Sequence, residues 1–242
     1  MYKKSMTRLE HKRVVIAGAT SGIGRALVTL LAAEQADVTA IGRDPKKLAA
    51  LRQELPAVKA VSLDARHHED VAAFFSKEKD IDHLVLALSG GKGGGEFRTL
   101  PLSDLREAFD NKFWPQLDVL QTALPAMKPG GSITLITAIS ATAGLPGTSG
   151  LAAMNGALEI MVPILARELR PLRVNAVSPG VIDTPWWDQL PADAKAGVFS
   201  NFSQQILVGR IGRPEEVAAT VRFILETEYI NATIVGCHGG IK

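Results

Sequence analysis

Near the start of the chain a short strand pattern runs into a glycine turn and then into a helix pattern, and this junction constrains the fold more than any other feature. Val14–Gly24 reads V-V-I-A-G-A-T-S-G-I-G. Gly18 permits a tight turn, and Gly22 and Gly24 let backbone and helix come close to whatever sits above them. The first amides of a helix have no partner inside it, and the helix dipole is positive at that end. A pyrophosphate is therefore well placed there. Gly18, Thr20, Ser21, Gly22, Ile23 and Gly24 become the candidates for holding a dinucleotide. The alternative is a glycine turn needed only for packing.

The rest of the chain repeats the strand–helix alternation. Apolar or β-branched runs occur at Arg13–Ala17, Asp37–Ile41, Lys59–Leu63, His83–Leu88, Ser132–Thr137, Arg173–Val177 and Thr233–Val235. Helical patterns lie between them at Gly24–Glu34, Pro45–Leu55, His68–Ser76, Leu102–Met127, Leu151–Leu169 and Pro214–Glu226. Several runs are apolar throughout, as in parallel strands covered on both faces. The expected fold is α/β: a single doubly wound Rossmann-type domain over residues 1–242, its parallel sheet of about seven strands flanked by helices. No repeat, linker or low-complexity tract interrupts it. Asp44-Pro45 reads as a helix N-cap followed by proline in the first turn. Pro163 falls inside a helical pattern and predicts a kink there.

Composition removes several classes of function. The chain has 242 residues with a formal net charge of +2. Its basic residues cluster only at Lys3, Lys4, Arg8, Lys12 and Arg13, so no nucleic-acid partner is expected. No apolar run precedes Val14, so no signal peptide is read there. No stretch of about 18 apolar residues stands out, so no membrane span is expected. Cys237 is the sole cysteine. One thiol cannot form an internal disulfide, which fits a reducing compartment and a cytoplasmic location. No metal-ligating set is expected.

The turn's spacing is G-x-x-x-G-x-G, and with it the chain resembles the short-chain dehydrogenase/reductase family over essentially its whole length. Asp64 matches the family's adenine-contacting acid, and Asn111 the asparagine of the fourth helix. Ser178-Pro179-Gly180 with Ile182 and Thr184 matches the nicotinamide-side motif, and Gly209–Ala218 the family's G-R-x-G-x-P-E-E-V-A. The family's N-N-A-G is altered here to Ala87-Leu88-Ser89-Gly90, which keeps Ser89 and Gly90 as cofactor-side candidates. The resemblance implies a nicotinamide cofactor, a small-molecule substrate and a homodimer or homotetramer. The second strand ends Ala40-Ile41-Gly42-Arg43. Glycine takes the place where an acid would bind a ribose 2′-hydroxyl, and the guanidinium of Arg43 suits a 2′-phosphate. NADP(H) is the expected cofactor.

The family's catalytic residues do not follow. Its reaction uses a serine, a tyrosine and a lysine. With Pro146-Gly147 fixing the register, their positions hold Ala138, Leu151 and Asn155, and only Asn111 is kept. Tyr2 and Tyr229 are the chain's only tyrosines, and no lysine lies between Lys128 and Lys195. A positioned general acid contributes about 10²- to 10⁴-fold, so ordinary ketone chemistry by the family route should be crippled. Ser140 or Thr137 could supply a hydroxyl, and Asn155 could hydrogen-bond where the lysine would. The catalytic candidates are therefore Asn111, Ser140 and Asn155. Leu151, Trp186 and Trp187 are substrate-side candidates, and residues 185–207 the substrate loop or lid. The two tryptophans suit an apolar or aromatic ligand, or simply pack the lid. Lys92 could meet an anionic group. His238 is expected to be structural.

Three readings follow. One is an NADPH-dependent reductase of an imine, iminium or other activated, largely apolar acceptor. Another is a catalytically inactive NADP(H)-binding subunit or sensor. The third is non-redox chemistry, such as a cyclisation, on the same scaffold.

Overall fold

The computed structural model describes residues 9–241, so Tyr2, Lys3, Lys4 and Arg8 lie outside the described residues. Seven parallel strands form one sheet in the order β3-β2-β1-β4-β5-β6-β7. They are β1 (Arg13–Ala17), β2 (Asp37–Gly42), β3 (Lys59–Ser62), β4 (Ile81–Leu86), β5 (Met127–Ile136), β6 (Arg173–Pro179) and β7 (Ile234–Cys237). Side chains alternate across β1 and so feed two cores. Val15 and Ala17 pack with α3 (His68–Phe75), α5 (Trp114–Ala123) and α6 (Ser149–Glu168). Val14 and Ile16 pack with α1 (Gly22–Ala33), α2 (Pro45–Glu54) and α8 (Pro214–Glu226). Covering both faces explains why several of the strand runs are apolar throughout.

The chain leaves β1 towards β2 and β3, then returns to the other side of β1 as β4. Connections therefore diverge beyond the carboxyl ends of β1 and β4, and that divergence opens the crevice where ligands bind in such sheets. Asp44 caps α2 as expected, its Oδ1 accepting from the amides of Lys46 at 2.9 Å and Lys47 at 3.2 Å.

Three expectations need correction. Leu102–Met127 is not one helix but α4 (Leu102–Ala108), a π-helical turn (Phe109–Phe113), α5 and a short 3₁₀ turn. Pro115 has no N–H to give the carbonyl of Asn111, and the wider turn accommodates that gap. Met127 belongs to β5, where it pairs with Ile81 ahead of a register shift. The helix α7 (Ala192–Gln205) was not anticipated. It buries no residue fully and so lacks a strong apolar stripe. Helix α6 extends through Pro163. By length and composition alone α6 could cross a membrane, with mean hydropathy 1.4. Its buried side instead packs on the sheet through Met154, Leu158 and Val162.

Candidate active site

One cavity of about 620 Å³ opens beyond the carboxyl ends of the central strands. The cofactor-side, catalytic and apolar substrate-side candidates line it: the glycine turn, Arg43, Asp64, Ser89, Gly90, Asn111, Ser140, Leu151, Asn155, Pro179, Gly180, Ile182, Thr184, Trp186 and Trp187. Lys92 does not; its Nζ lies 3.4 Å from Asp104. Nor does His238, whose Nδ1 accepts from the amide of Gly240 within its own turn at 3.2 Å.

At one end the walls are backbone. Gly18 has φ +85°, and a Cβ there would collide with the Ala87 carbonyl. A Cβ on Gly24 would collide with the carbonyl of Gly18. The turn from strand to helix can close only without those atoms. Ser21, the N-cap of α1, makes no side-chain cap bond, so the helix's first amides are not taken up by it. Thr184 closes on this turn from the far side, within 3.2 Å of where a Gly22 Cβ would stand. An open helix N-terminus, close-packed glycines and flanking hydroxyls suit a dinucleotide pyrophosphate.

Beyond the turn, the lining carries Arg43, Lys47 and Arg66. Arg66 grips Asp64 in a bidentate contact, 2.6 Å to Oδ2 and 3.0 Å to Oδ1. That grip, helped by the charge of Arg43, holds the Asp64 carboxyl down at about 2. Arg66 also reaches Asn111 Oδ1 at 3.4 Å. Sequence reasoning missed Arg66, although its place two residues after the acid was a signal.

The other end is built from side chains. Asn155 Nδ2 donates to Ser140 Oγ at 3.2 Å and to the Leu151 carbonyl at 2.9 Å. Asn155 Oδ1 accepts from the ammonium of Lys112 at 2.8 Å, and Lys112 also donates to the Thr137 carbonyl at 3.2 Å. Lys112 is 6% exposed. Burial lowers its pKa to about 8, a shift that the charge of Glu159 partly opposes. Glu159 Oε1 accepts from Thr137 Oγ1 at 2.7 Å and Ser178 Oγ at 2.9 Å. Asn111 does not join this group, because its side chain turns towards Arg66 and Glu107. The family's pattern places its lysine on α6, whereas Lys112 arrives from the π turn. A lysine next to the aromatic pair Phe113-Trp114 was the available sign.

Leu151 is half-buried at the start of α6, its amide bonded to the Gly93 carbonyl at 3.2 Å. Tyr229 is fully exposed and lines no part of the cavity. Trp186 donates from Nε1 to the Gly90 carbonyl at 2.8 Å, and Trp187 to the Ile182 carbonyl at 2.9 Å. The two rings meet edge to face at 4.6 Å, and Trp187 meets Phe199 of α7 at 5.5 Å. These rings both pack the loop and form an apolar wall.

The fold and the glycine turn define a doubly wound dinucleotide-binding domain. The family described as enoyl-(acyl carrier protein) reductase matches residues 18–242. The chain is 32% identical to a 3-oxoacyl-(acyl-carrier-protein) reductase of Thermotoga maritima, over 97% of this chain and 99% of that one. It is similar to a solved small-chain dehydrogenase in complex with NADPH, with TM-score 0.81 and 28% identity over 95% and 98% of the two chains. It also resembles the MalC reductase/Diels-Alderase of Malbranchea aurantiaca, with TM-score 0.87 and 25% identity over 98% of each. The protein belongs to the short-chain dehydrogenase/reductase family of oxidoreductases.

Proposed function

We propose that this chain is an NADPH-dependent reductase of an activated, largely apolar acceptor such as an imine, iminium or quinone. The observation that carries the reading is one cavity with two unlike ends. An open glycine turn with Arg43, Lys47 and Arg66 lies at one end, and at the other Leu151 stands where the family's pattern has a phenol. A similar solved structure is a small-chain dehydrogenase in complex with NADPH, which supports the cofactor.

The amides at the start of α1 hold the pyrophosphate, and Arg43 holds the 2′-phosphate in this reading. When bound, the reduced nicotinamide supplies a hydride. A hydride added to an iminium carbon gives a neutral amine with no proton needed at that moment, so the missing phenol matters least for such acceptors. Trp186, Trp187 and Leu151 exclude water and offer apolar contact.

The test is NADPH binding by protein fluorescence, then NADPH oxidation with ketones, imines and quinones side by side. Turnover of imines or quinones without simple ketones supports the reading. Binding with no turnover in that panel overturns it. A second reading, non-redox cyclisation, is favoured by the likeness to a protein named as both reductase and Diels-Alderase. It predicts a product of unchanged oxidation state and no stoichiometric loss of NADPH.

A further inference from the structure

Three side chains from three separate elements form a chain of hydrogen bonds that all point the same way. Lys112 comes from the π turn, Asn155 from α6, and Ser140 from the 3₁₀ turn after β5. A lysine ammonium can only donate, so the oxygen of the Asn155 amide must face it. That fixes the amide's orientation and aims its Nδ2 at Ser140 Oγ. The second Nδ2 proton goes to the Leu151 carbonyl, so Asn155 has no freedom to turn. Among the described residues, Ser140 Oγ only accepts. Its own proton is left for the cavity that Ser140 lines.

Bonds aligned in this way strengthen one another at low dielectric. Charge on Lys112 polarises the Asn155 amide, the amide becomes a stronger donor to Ser140, and the Ser140 hydroxyl becomes a stronger donor to a ligand. Packing alone gives little reason for this cost, because a buried ammonium is expensive and an apolar side chain of similar length would fill the space.

We propose that Lys112 is the positioning charge of this site, acting through Asn155 to make the Ser140 hydroxyl the donor that meets the acceptor heteroatom of the substrate. The inference rests on the reductase reading for the identity of that acceptor. It involves no proton transfer along the chain, since an amide side chain is a poor carrier. Glu159 of α6 is the charged group coupled to Lys112, while Arg66 and Glu107 face the neighbouring Asn111.

The first experiment needs neither cofactor nor substrate. The Asn155 side-chain amide is followed by nitrogen–proton NMR from pH 6 to 10 in the native protein, Lys112→Met and Lys112→Arg. The native amide is expected to titrate with a midpoint well below that of a free lysine, and Lys112→Met to abolish the transition. Lys112→Arg, always charged, should hold the acid-side shift throughout. Ser140→Ala should move one of the two amide protons of Asn155 and leave the titration. A native amide that does not titrate, or one that still titrates in Lys112→Met, overturns the proposal.

The second experiment measures NADPH oxidation with 9,10-phenanthrenequinone. Lys112→Met and Ser140→Ala should each lower kcat by about 10- to 100-fold, the size of a hydrogen bond to a charged group, with KM little changed. The double variant should be no worse than either alone. The native kcat should fall on the alkaline side, and the Lys112→Arg profile should stay flat. Additive losses, or equal profiles, overturn the proposal. A native protein that oxidises no NADPH sinks the reductase reading instead, and the amide titration then decides the hydrogen-bond chain by itself.

Discussion

The two ends of the cavity are made in opposite ways. At the glycine turn the fit comes from side chains that are missing, because Gly18 and Gly24 let backbone touch backbone. At the far end the fit comes from long polar side chains delivered by separate elements onto Ser140 and Asn155. The first kind tolerates no added atom but carries no chemistry of its own. The second is chemically active, and its buried charge is costly. The contrast predicts that changes at the turn disturb structure and binding together, whereas changes at the far end separate stability from function.

The largest effect is expected at the turn. Gly18→Ala places a methyl against the Ala87 carbonyl at a φ of +85°. Overpacking and left-handed strain together should cost about 3 kcal/mol or more, and NADPH binding should be lost. Urea unfolding and NADPH fluorescence read both. A variant with an unchanged midpoint and unchanged affinity would break the comparison at this end.

Lys112→Met should give an effect nearly as large, visible only as a difference in slope. The folded protein releases the Lys112 proton near pH 8, and the unfolded chain holds it up to about 10.5. Between those values the unfolded state binds more protons. Native stability therefore rises with pH relative to the variant from about 8, and levels off above 10.5. The full difference is roughly 3 kcal/mol. Most of it is measured as the change, between pH 7 and pH 10, in the gap between the two proteins' unfolding free energies. Parallel curves would mean that the ammonium is not buried as described.

This division also explains what the sequence disclosed. The glycine turn, the Asp44 cap of α2 and the β1 run are local features, each written in adjacent residues, and with the strand–helix alternation they predicted the doubly wound sheet. Lys112, Arg66 and Glu159 could not be placed in this way. Their partners lie on other elements, and the π turn that aims Lys112 arises from Pro115, which reads in sequence as a proline inside one long helix. Helix α7 escaped because its apolar residues bury little. Asn155 was a candidate from the sequence, but its neighbour Lys112 was not.

A smaller effect is expected at the phosphate-facing side chains, which sharpens the comparison within the cofactor end itself. Arg43 is exposed, so Arg43→Ala should leave stability alone. NADPH affinity should fall about tenfold or more, as for one lost charge-assisted contact, and NADH affinity should change little. Equal losses for the two cofactors would show that Arg43 does not face a 2′-phosphate.

The smallest effect belongs to Trp186→Phe, which asks whether the lid follows the rule of the turn or that of the far end. The substitution keeps an aromatic ring against Trp187, at 4.6 Å in the native protein, and removes the pyrrole part of the indole with its Nε1 donor to the Gly90 carbonyl at 2.8 Å. That bond ties the lid segment to the glycine-rich loop across the mouth of the cavity. Losing it should cost about 1 kcal/mol, or about 2–4 °C in melting temperature. If the tie alone matters, amide exchange should quicken in the Ser89–Gly95 loop while KM for an apolar acceptor stays within a factor of two. If the indole is itself the ligand's wall, KM should rise with no change in exchange, and the lid would then belong with Lys112 and Ser140 as side-chain chemistry instead of with the glycine turn as packing.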